Sequence, residues 1–143
     1  MTPQDLIAAA REAARQAHAP YSRFAVGAAA LLTDGSVVTG ANVENASYGL
    51  SLCAETVAIA TASAQGRLAD VVAVCVVGGA MDSGANDAPV RPCGRCRQVL
   101  NEAAQLGRRE LLIHCAGLTG DAVETHRLSD LLPHAFGPAD LDL

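Results

Sequence analysis

The sequence predicts an α/β protein in which helices cover the faces of a mixed central sheet of about five strands. Segments with helical spacing of apolar residues alternate with short apolar runs in the order α-β-β-α-β-α-β. Strands joined through a helix pair in parallel, whereas strands joined by a tight turn pair antiparallel. The chain has 143 residues and no linker or repeat, so we expect a single domain over residues 1–143.

The first element is a helix with a clear start signal. Thr2 suits the N-cap position, Pro3 suits the first helical position, and Asp5 completes a capping-box-like start. We expect the helix to run to about Ala17 and to end before Pro20. Apolar residues recur at helical spacing through this segment: Leu6, Ile7, Ala10, Ala13, Ala14 and Ala17.

Two strands and a polar loop follow. The apolar runs 24–32 and 37–40 flank Asp34–Gly35, and an Asp-Gly pair between two apolar runs predicts an antiparallel hairpin. Residues 42–51 are rich in Asn, Glu, Ser, Tyr and Gly, which indicates a loop.

The rest of the chain alternates between helices and strands. The run 71–77 is apolar and β-branched, which is typical of a strand buried on both faces. The other predictions are a helix over 54–64 stopped by Gly66, a loop over 78–90, a helix from Cys93 to about Gln105 with Pro92 at its first position, a strand over 111–115, an edge strand over 122–127, and a short helix over 130–132 capped by Ser129.

Composition excludes several classes of protein. The formal net charge is -5 and the basic residues are scattered, which argues against a nucleic-acid surface. No segment suits a membrane span, and the N-terminus lacks the features of a signal peptide. We therefore expect a cytoplasmic protein whose five cysteines are reduced. Half of the residues are hydrophobic, which indicates either surface buried against further copies of the chain or simply an alanine-rich composition.

Two cysteine segments carry the chemistry. Cys93 and Cys96 have the Cys-x-x-Cys spacing that lets two thiolates bind one zinc ion, and Cys53 supplies a third thiolate two residues before Glu55. Both segments look like helix starts, where side chains lean back toward the N-terminus, so two facing helices would aim these groups at one point. The positive ends of the helix dipoles would also stabilise the thiolates.

Three protein ligands and one open position are the layout of a catalytic zinc, which lowers the pKa of bound water from about 15.7 to roughly 7. A Cys-x-x-Cys pair alone fits a redox pair, a structural zinc half-site or two unrelated buried thiols equally well. Because a Cys-Ala-Glu segment and matching helix starts accompany it here, we favour a zinc hydrolase with Glu55 as general acid and base.

The segments Cys53–Ala54–Glu55 and Pro92–Cys93–Gly94–Arg95–Cys96–Arg97–Gln98 resemble those of the zinc-dependent cytidine deaminases of the small-subunit, homotetrameric type. Three further stretches resemble motifs of that family. Residues 21–28 resemble its first-strand motif, 40–50 its nucleoside-binding loop, and 131–138 its C-terminal segment. The resemblance implies the three-layer α/β/α fold of these enzymes.

The resemblance also implies a reaction. It is the hydrolytic deamination of cytidine and 2′-deoxycytidine to the uridines in pyrimidine salvage, with release of ammonia, in which zinc-activated water attacks C4. By resemblance, Cys53, Cys93 and Cys96 hold one zinc ion per subunit, and Glu55 carries protons to N3 and to the leaving amine. The implied substrate contacts are Asn42 and Glu44 to the ribose, Phe24 to the base, the backbone of Ala54 to the polar edge of the base, and Tyr48 and Phe136 from a neighbouring subunit.

The aromatic residues agree with this interpretation. Both Tyr and both Phe lie in the resembling stretches, and none lies inside a predicted helix or central strand, although core packing is the commoner fate of any one of them. Glu44 taken alone would be interpreted as a solvated loop carboxylate. Cys75 and Cys115 are interpreted as small buried hydrophobic residues, and the four histidines lack ligand spacing.

Two positions depart from the family pattern. Thr56 stands where many three-thiolate members carry an arginine that offsets the excess negative charge at zinc, so we expect backbone amides, the Thr56 hydroxyl, or Arg95 or Arg97 to compensate. Arg91 stands where serine is common. These differences bear on the range of substrates more than on the type of reaction.

Three alternatives stay open on the sequence. A blasticidin S type of deaminase also lacks the arginine, but the set Phe24, Asn42, Glu44, Asn45 and Tyr48 fits ordinary ribose nucleosides better. A polynucleotide-editing deaminase would need a basic channel, which an acidic chain does not favour. A zinc-stabilised interaction module would have no use for Glu55.

Overall fold

The computed structural model describes all 143 residues, and its five strands form one mixed sheet in the order β2-β1-β3-β4-β5. None of the helices combines the length and apolar character needed to cross a membrane. The elements are α1 (Pro3–Ala14), β1 (Phe24–Leu32), β2 (Val37–Ala41), α2 (Ala54–Ala64), β3 (Val71–Ala80), α3 (Gly94–Gly107), β4 (Leu112–Gly117), β5 (Val123–Arg127) and α4 (Leu128–Leu131), with single 3-10 turns at Tyr48–Leu50, Leu68–Asp70 and Pro138–Leu141.

The strand pairings follow from the connections. Strand β1 is antiparallel to β2 and to β3, β3 and β4 are parallel, and β5 closes the sheet antiparallel to β4. The β1–β2 turn is built as the sequence predicts: Gly35 has a φ of 86°, and the Asp34 carboxylate accepts hydrogen bonds from Ser36. The parallel β3–β4 pair is connected through α3, so the predicted mixed sheet is confirmed.

Helices lie on both faces of the sheet, which confirms the three-layer architecture. On one face α1 packs on alternate residues of the central strands, including Ala29, Cys75 and Val77. On the other face α2 and α3 pack on the intervening residues, including Ala30, Val74 and Val76. Strand β3 is therefore buried on both faces, as its apolar sequence predicts.

Two glycines in the sheet let helices approach it unusually closely. A Cβ added to Gly27 would lie 1.9 Å from the Ala10 carbonyl oxygen of α1. A Cβ added to Gly40 would lie 2.5 Å from the Ala54 carbonyl oxygen, in the first turn of α2. Only glycine fits at these contacts, and the Gly40 contact fixes where the first turn of α2 sits over the sheet.

Helix α1 ends at Ala14, and the prediction that it reaches about Ala17 is wrong. The next residues form tighter turns, in which the Ala17 N–H bonds to the Ala14 carbonyl. His18 then exchanges backbone hydrogen bonds with the loop after β2, at Asn42 and Glu44. This long-range pairing turns the chain away three residues earlier than local helix propensity indicates.

Smaller boundary errors have similar causes. Strand β3 continues to Ala80 rather than ending at residue 77, because β1 stays paired with it as far as Phe24. Pro92 precedes α3 rather than occupying its first turn, since Cys93 is the N-cap. Helix α4 begins at Leu128, so Ser129 lies inside it and is not its cap.

Replacing Gly27 by alanine is expected to destabilise the fold, because the new methyl group would overlap the backbone of α1. Overpacking of this kind costs about 1–3 kcal/mol of unfolding free energy. The measurement is thermal and urea denaturation followed by circular dichroism. Gly84→Ala is the matched control, since its Cβ would meet nothing within 4 Å, and it should change stability by less than about 0.5 kcal/mol. Equal stability of the two variants would contradict the packing argument.

Candidate metal centre

The candidate site lies at the edge of the sheet where β2 and β3 end and β1 begins. Phe24, the first residue of β1, pairs with Ala80 at the end of β3, and Gly27 pairs with Ala41 at the end of β2. Helices α2 and α3 start at this same edge. Carboxyl ends of strands next to helix starts are the usual place for ligands in sheets of this kind.

The three predicted sulfurs meet at this edge. Cys53 and Cys93 are the N-cap residues of α2 and α3, both with extended backbone, and Cys96 lies in the first turn of α3. Their Sγ atoms all lie within 4.8 Å of one another, and those of Cys53 and Cys93 are 3.9 Å apart. Tetrahedral zinc with Zn–S bonds of about 2.3 Å requires sulfurs about 3.8 Å apart, so the donor set fits zinc.

The sulfurs differ in their surroundings. Burial raises the pKa of the Cys96 thiol, the neighbouring Glu55 carboxylate raises it further, and the hydroxyl of Thr56 acts in the opposite direction. Cys93 is exposed at the N-cap, and its pKa lies below the ordinary value: partial burial opposes ionisation, but hydrogen bonds from Cys96 and Cys53 outweigh it. A thiolate is therefore most easily formed where α3 begins.

Glu55 is a buried carboxylate beside the sulfurs. It is 4% exposed, and desolvation raises its pKa, while the hydrogen bonds of its own backbone N–H and of Cys96 oppose the rise. A carboxyl group with a raised pKa takes up and gives back a proton near neutral pH more readily than an exposed one. The environment of Glu55 suits a proton carrier.

A cavity of about 240 Å³ opens onto Cys53, Cys93 and Glu55. We call it the cysteine pocket. It brings together six of the residues that the sequence singles out, together with four apolar side chains that the sequence does not single out, Val26, Leu52, Val76 and Val90. The six are Phe24, Asn42, Glu44, Cys53, Glu55 and Cys93.

Asn42 is buried, and its side chain is held by strand β1. Its Nδ2 donates to the Phe24 carbonyl at 2.8 Å, and its Oδ1 accepts from the Val26 N–H at 3.0 Å. An amide group offers two donors and two acceptor sites, so one N–H and one lone pair of Asn42 remain for another partner. The two bonds fix the orientation of those remaining sites.

Glu44 is an exposed carboxylate with a fixed position. Its Oε1 accepts hydrogen bonds from the backbone N–H groups of Tyr21 and Ser22, both at 3.0 Å. The pKa of Glu44 lies below its ordinary value because Ser22 and the backbone N–H of Tyr21 stabilise the ionised form. Glu44 is therefore an ordered anion at the mouth of the pocket, and its Oε2 has no protein partner.

The remaining predicted contact residues lie in different places. Ala54 is fully buried in the first turn of α2. Tyr48 packs on Tyr21 with ring centroids 5.5 Å apart, and both line a cleft of about 350 Å³ that shares Glu44 and Ser51 with the cysteine pocket. Phe136 is 61% exposed and lines neither cavity of its own chain.

Sequence reasoning gave no role to Arg91, which lines the cysteine pocket. Its guanidinium binds both carboxylate oxygens of Glu124 on β5, at 2.9 and 2.7 Å, and so holds the chain just before Pro92 and Cys93. Because Arg91 and Glu124 are 33 residues apart in the chain, no local sequence pattern indicates that they form a pair. A larger cavity, about 630 Å³, lies at the far end of α3 and contains none of the sulfurs, so the cysteine pocket is the better candidate although it is smaller.

Comparisons with known proteins agree with this site. The family described as the cytidine and deoxycytidylate deaminase zinc-binding region matches residues 1–109. A cytidine deaminase of Halalkalibacterium halodurans is 46% identical over 142 residues, covering 99% of both chains. One of Mycobacterium tuberculosis is 49% identical over 132 residues, covering 92% of this chain and 87% of that one.

Solved structures point the same way. The crystal structure of a cytidine deaminase from Burkholderia pseudomallei is similar with a TM-score of 0.81 and 45% identity, over 95% of this chain and all of that one. A cytidine deaminase from Mycobacterium tuberculosis gives a TM-score of 0.74 at 44% identity, over 96% of this chain and 98% of that one. With the family profile matched over most of the chain and the three sulfurs gathered at one point, this chain belongs to the cytidine and deoxycytidylate deaminase family of zinc-binding proteins.

Proposed function

We propose that this protein converts cytidine and 2′-deoxycytidine to the corresponding uridines by hydrolysis, with release of ammonia. The observation that carries the proposal is the cluster of three cysteine sulfurs, two of which line the cysteine pocket together with the buried carboxylate of Glu55. The relatives of nearly equal length are all named cytidine deaminases, which supports this substrate. Experimentally, the reaction is followed by the change in ultraviolet absorbance as cytidine is consumed.

Cys53, Cys93 and Cys96 are proposed to hold the zinc, and Glu55 to move the protons. Zinc bound there would supply the Lewis acidity that makes water a nucleophile near neutral pH. The Glu55 carboxylate would accept a proton from water and pass it to N3 of the base as the oxygen bonds to C4. It would then take the proton of the new C4 hydroxyl group and pass it to the amine, which leaves as ammonia when the C4–N bond breaks. Since Glu55 is buried, few water molecules compete for its proton.

The remaining pocket residues are proposed to orient the nucleoside. Phe24 presents its ring to the base, and the backbone of Ala54 binds the polar edge of the base. The free N–H of Asn42 donates to a ribose oxygen, and the unshared Oε2 of Glu44 accepts from a ribose hydroxyl. Because the hydrogen bonds described above fix both side chains, little conformational entropy is lost when the sugar binds.

We also propose a homotetramer in which Tyr48 and Phe136 complete the pocket of a neighbouring subunit. Both rings are exposed, at 73% and 61%. The backbone carbonyl of Phe136 accepts hydrogen bonds from Gln98 and Asn101 of α3, so its ring is held outward on an ordered backbone. Residues 1–143 are proposed to act as one domain, in pyrimidine salvage in the cytoplasm.

Two other substrates are less well supported. The comparisons do not favour a deaminase of the blasticidin S type, since the similar proteins named above are cytidine deaminases. A polynucleotide substrate would require a basic channel, and the chain has a formal net charge of -5. Turnover of blasticidin S or of a cytosine-containing oligonucleotide at the rate of cytidine would overturn the proposed substrate.

Glu55→Gln is expected to lower turnover of cytidine by about 10²- to 10⁴-fold while the protein keeps its zinc, because the amide cannot carry the proton. Turnover and zinc content are measured on the same sample. Glu102→Gln, an exposed position on α3 outside the cysteine pocket, is the matched control and should retain activity. Full activity of the Glu55 variant would favour a zinc-stabilised module over an enzyme.

Removing zinc with a chelator is expected to make Cys53 and Cys93 react with iodoacetamide at least about tenfold faster, since bound thiolates are poor nucleophiles. Cys75 and Cys115 should stay unlabelled at pH 8 in both forms. Burial, together with the charge of Cys115, raises the pKa of Cys75 to about 12, and burial with Glu124 raises that of Cys115 to about 11. Peptide mapping by mass spectrometry gives the labelling rate of each cysteine. If Cys93 were labelled at the same rate with and without zinc, the ligand assignment would be wrong.

Mixing two inactive variants tests the shared pocket. Phe136→Ala removes a ring from a neighbour's site, and Glu55→Gln disables its own site. Mixed tetramers formed by joint refolding should regain about a quarter of wild-type turnover, because one site in four combines an intact Glu55 with an intact neighbouring Phe136. Light scattering should give about four times the 14.6 kDa chain mass. A monomer, or a mixture that regains nothing, would contradict the arrangement.

A further inference from the structure

Three thiolates around one Zn²⁺ would leave an excess of one negative charge, and the contacts of the three sulfurs indicate which groups are placed to offset it. The three arginines in or beside the second cysteine segment form hydrogen bonds with oxygen atoms rather than with sulfur. Arg91 binds Glu124, Arg95 donates to the Ser51 carbonyl at 3.4 Å, and Arg97 donates to the carbonyls of Pro92 and Leu131 at 2.8 and 2.9 Å. The charge must be offset by other donors.

Two of the three sulfurs lie at the positive ends of helix dipoles. Cys53 and Cys93 are the N-cap residues of α2 and α3, a position that favours the charged form of a side chain. Cys96 lies inside the first turn of α3 and is completely buried. It is the sulfur with least access to water, so it depends most on a donor from the protein.

Thr56 supplies that donor. Its Oγ1 lies 3.6 Å from the Cys96 Sγ, across the interface between the two helix starts. A threonine within a helix more often bonds to its own helix, as Thr61 of α2 does with the Val57 carbonyl at 2.7 Å. The corresponding carbonyl for Thr56 is that of Leu52, which already accepts from the Val43 N–H. The Thr56 hydroxyl is thus directed to sulfur rather than to its own helix.

We propose that Thr56 is a positioning residue for the metal centre: its hydroxyl donates a hydrogen bond to the Cys96 thiolate and withdraws charge from that sulfur. A thiolate has no proton to give, so in the metal-loaded protein the direction of the bond is fixed. A sulfur that gives less charge to zinc leaves the metal a stronger Lewis acid. The inference rests on the zinc assignment and reaction proposed above.

The placement of Thr56 ties this effect to the rest of the site. Cys53, Glu55 and Thr56 belong to the same start of α2, so one helical turn carries a ligand, the proton carrier and the donor. Thr56 reaches across to α3, the helix that carries the other two ligands. A change in the packing of the two helices would therefore alter the charge on the Cys96 sulfur.

The test compares Thr56→Val, which keeps the shape but loses the hydroxyl, with Thr56→Ser, which keeps the hydroxyl. Thr61→Val is the matched control, since it removes a hydroxyl from the same helix without contact to sulfur. Each protein is measured with zinc for turnover of cytidine, and with Co²⁺ in place of zinc for its absorption spectrum. The cobalt spectrum is recorded without substrate and reports directly on charge donated by the thiolates.

Thr56→Val should lower kcat by about 10- to 100-fold with little change in KM. It should also move the thiolate-to-cobalt charge-transfer band to lower energy. Thr56→Ser should restore both, and Thr61→Val should leave the band unchanged. An unchanged band in folded Thr56→Val, or a serine variant that behaves like valine, overturns the inference. If the wild type fails to deaminate cytidine but the band shifts as expected, the proposed function fails while the role of Thr56 stands.

Discussion

Bringing three cysteine sulfurs within 4.8 Å of one another is the constraint on which the rest of the structure depends. Two unit charges 4 Å apart repel by about 4 kcal/mol at the effective dielectric constant near a protein surface, so three thiolates are stable together only with a cation and with donors around them. Placing Cys53 and Cys93 at the N-caps of two helices puts both sulfurs at the positive ends of the helix dipoles, which favours the thiolate form. Both helices must therefore begin at the same edge of the sheet, and the strand order and the β3–α3–β4 crossover achieve this.

The close approach of helices to the sheet serves the same constraint. Gly40 allows the first turn of α2 to lie directly on β2, and Ala28, Ala54 and Ala58 form a small cluster between β1 and α2. Larger side chains there would lift α2 and move Cys53 and Glu55 away from α3. The alanine-rich composition therefore has a role within the single chain, whatever part of the surface is also buried against further copies.

The elements and the ligand set could be predicted from the sequence because both leave local signals. Helix α2 runs from Ala54 to Ala64 as predicted. Its start, its alanine-rich interior and its end at Gly66 are all marked by residues within the segment itself. What could not be predicted depends on residues far apart in the chain. The end of α1 is set by His18 pairing with the loop after β2, and the position of Arg91 is set by Glu124. Neither partner can be identified from spacing or composition.

The structural role of Asn42 could not be predicted either. The sequence indicates only a substrate contact, whereas the side chain also forms two hydrogen bonds with the backbone of β1.

The geometry of the cysteine pocket bears on why further copies of the chain are proposed. Its volume, about 240 Å³, is smaller than the roughly 300–1,000 Å³ typical of sites that enclose a small molecule. It opens at Glu44 and Ser51 into the cleft lined by Tyr21 and Tyr48, so a nucleoside bound there would have one side in water. The proton transfer proposed for Glu55 requires that water be kept out during the reaction. An exposed Phe136 ring on an ordered backbone has the size and apolar character to cover such an opening, and it lines neither the cysteine pocket nor the adjoining cleft of its own chain, which supports the proposal that the covering ring comes from another copy.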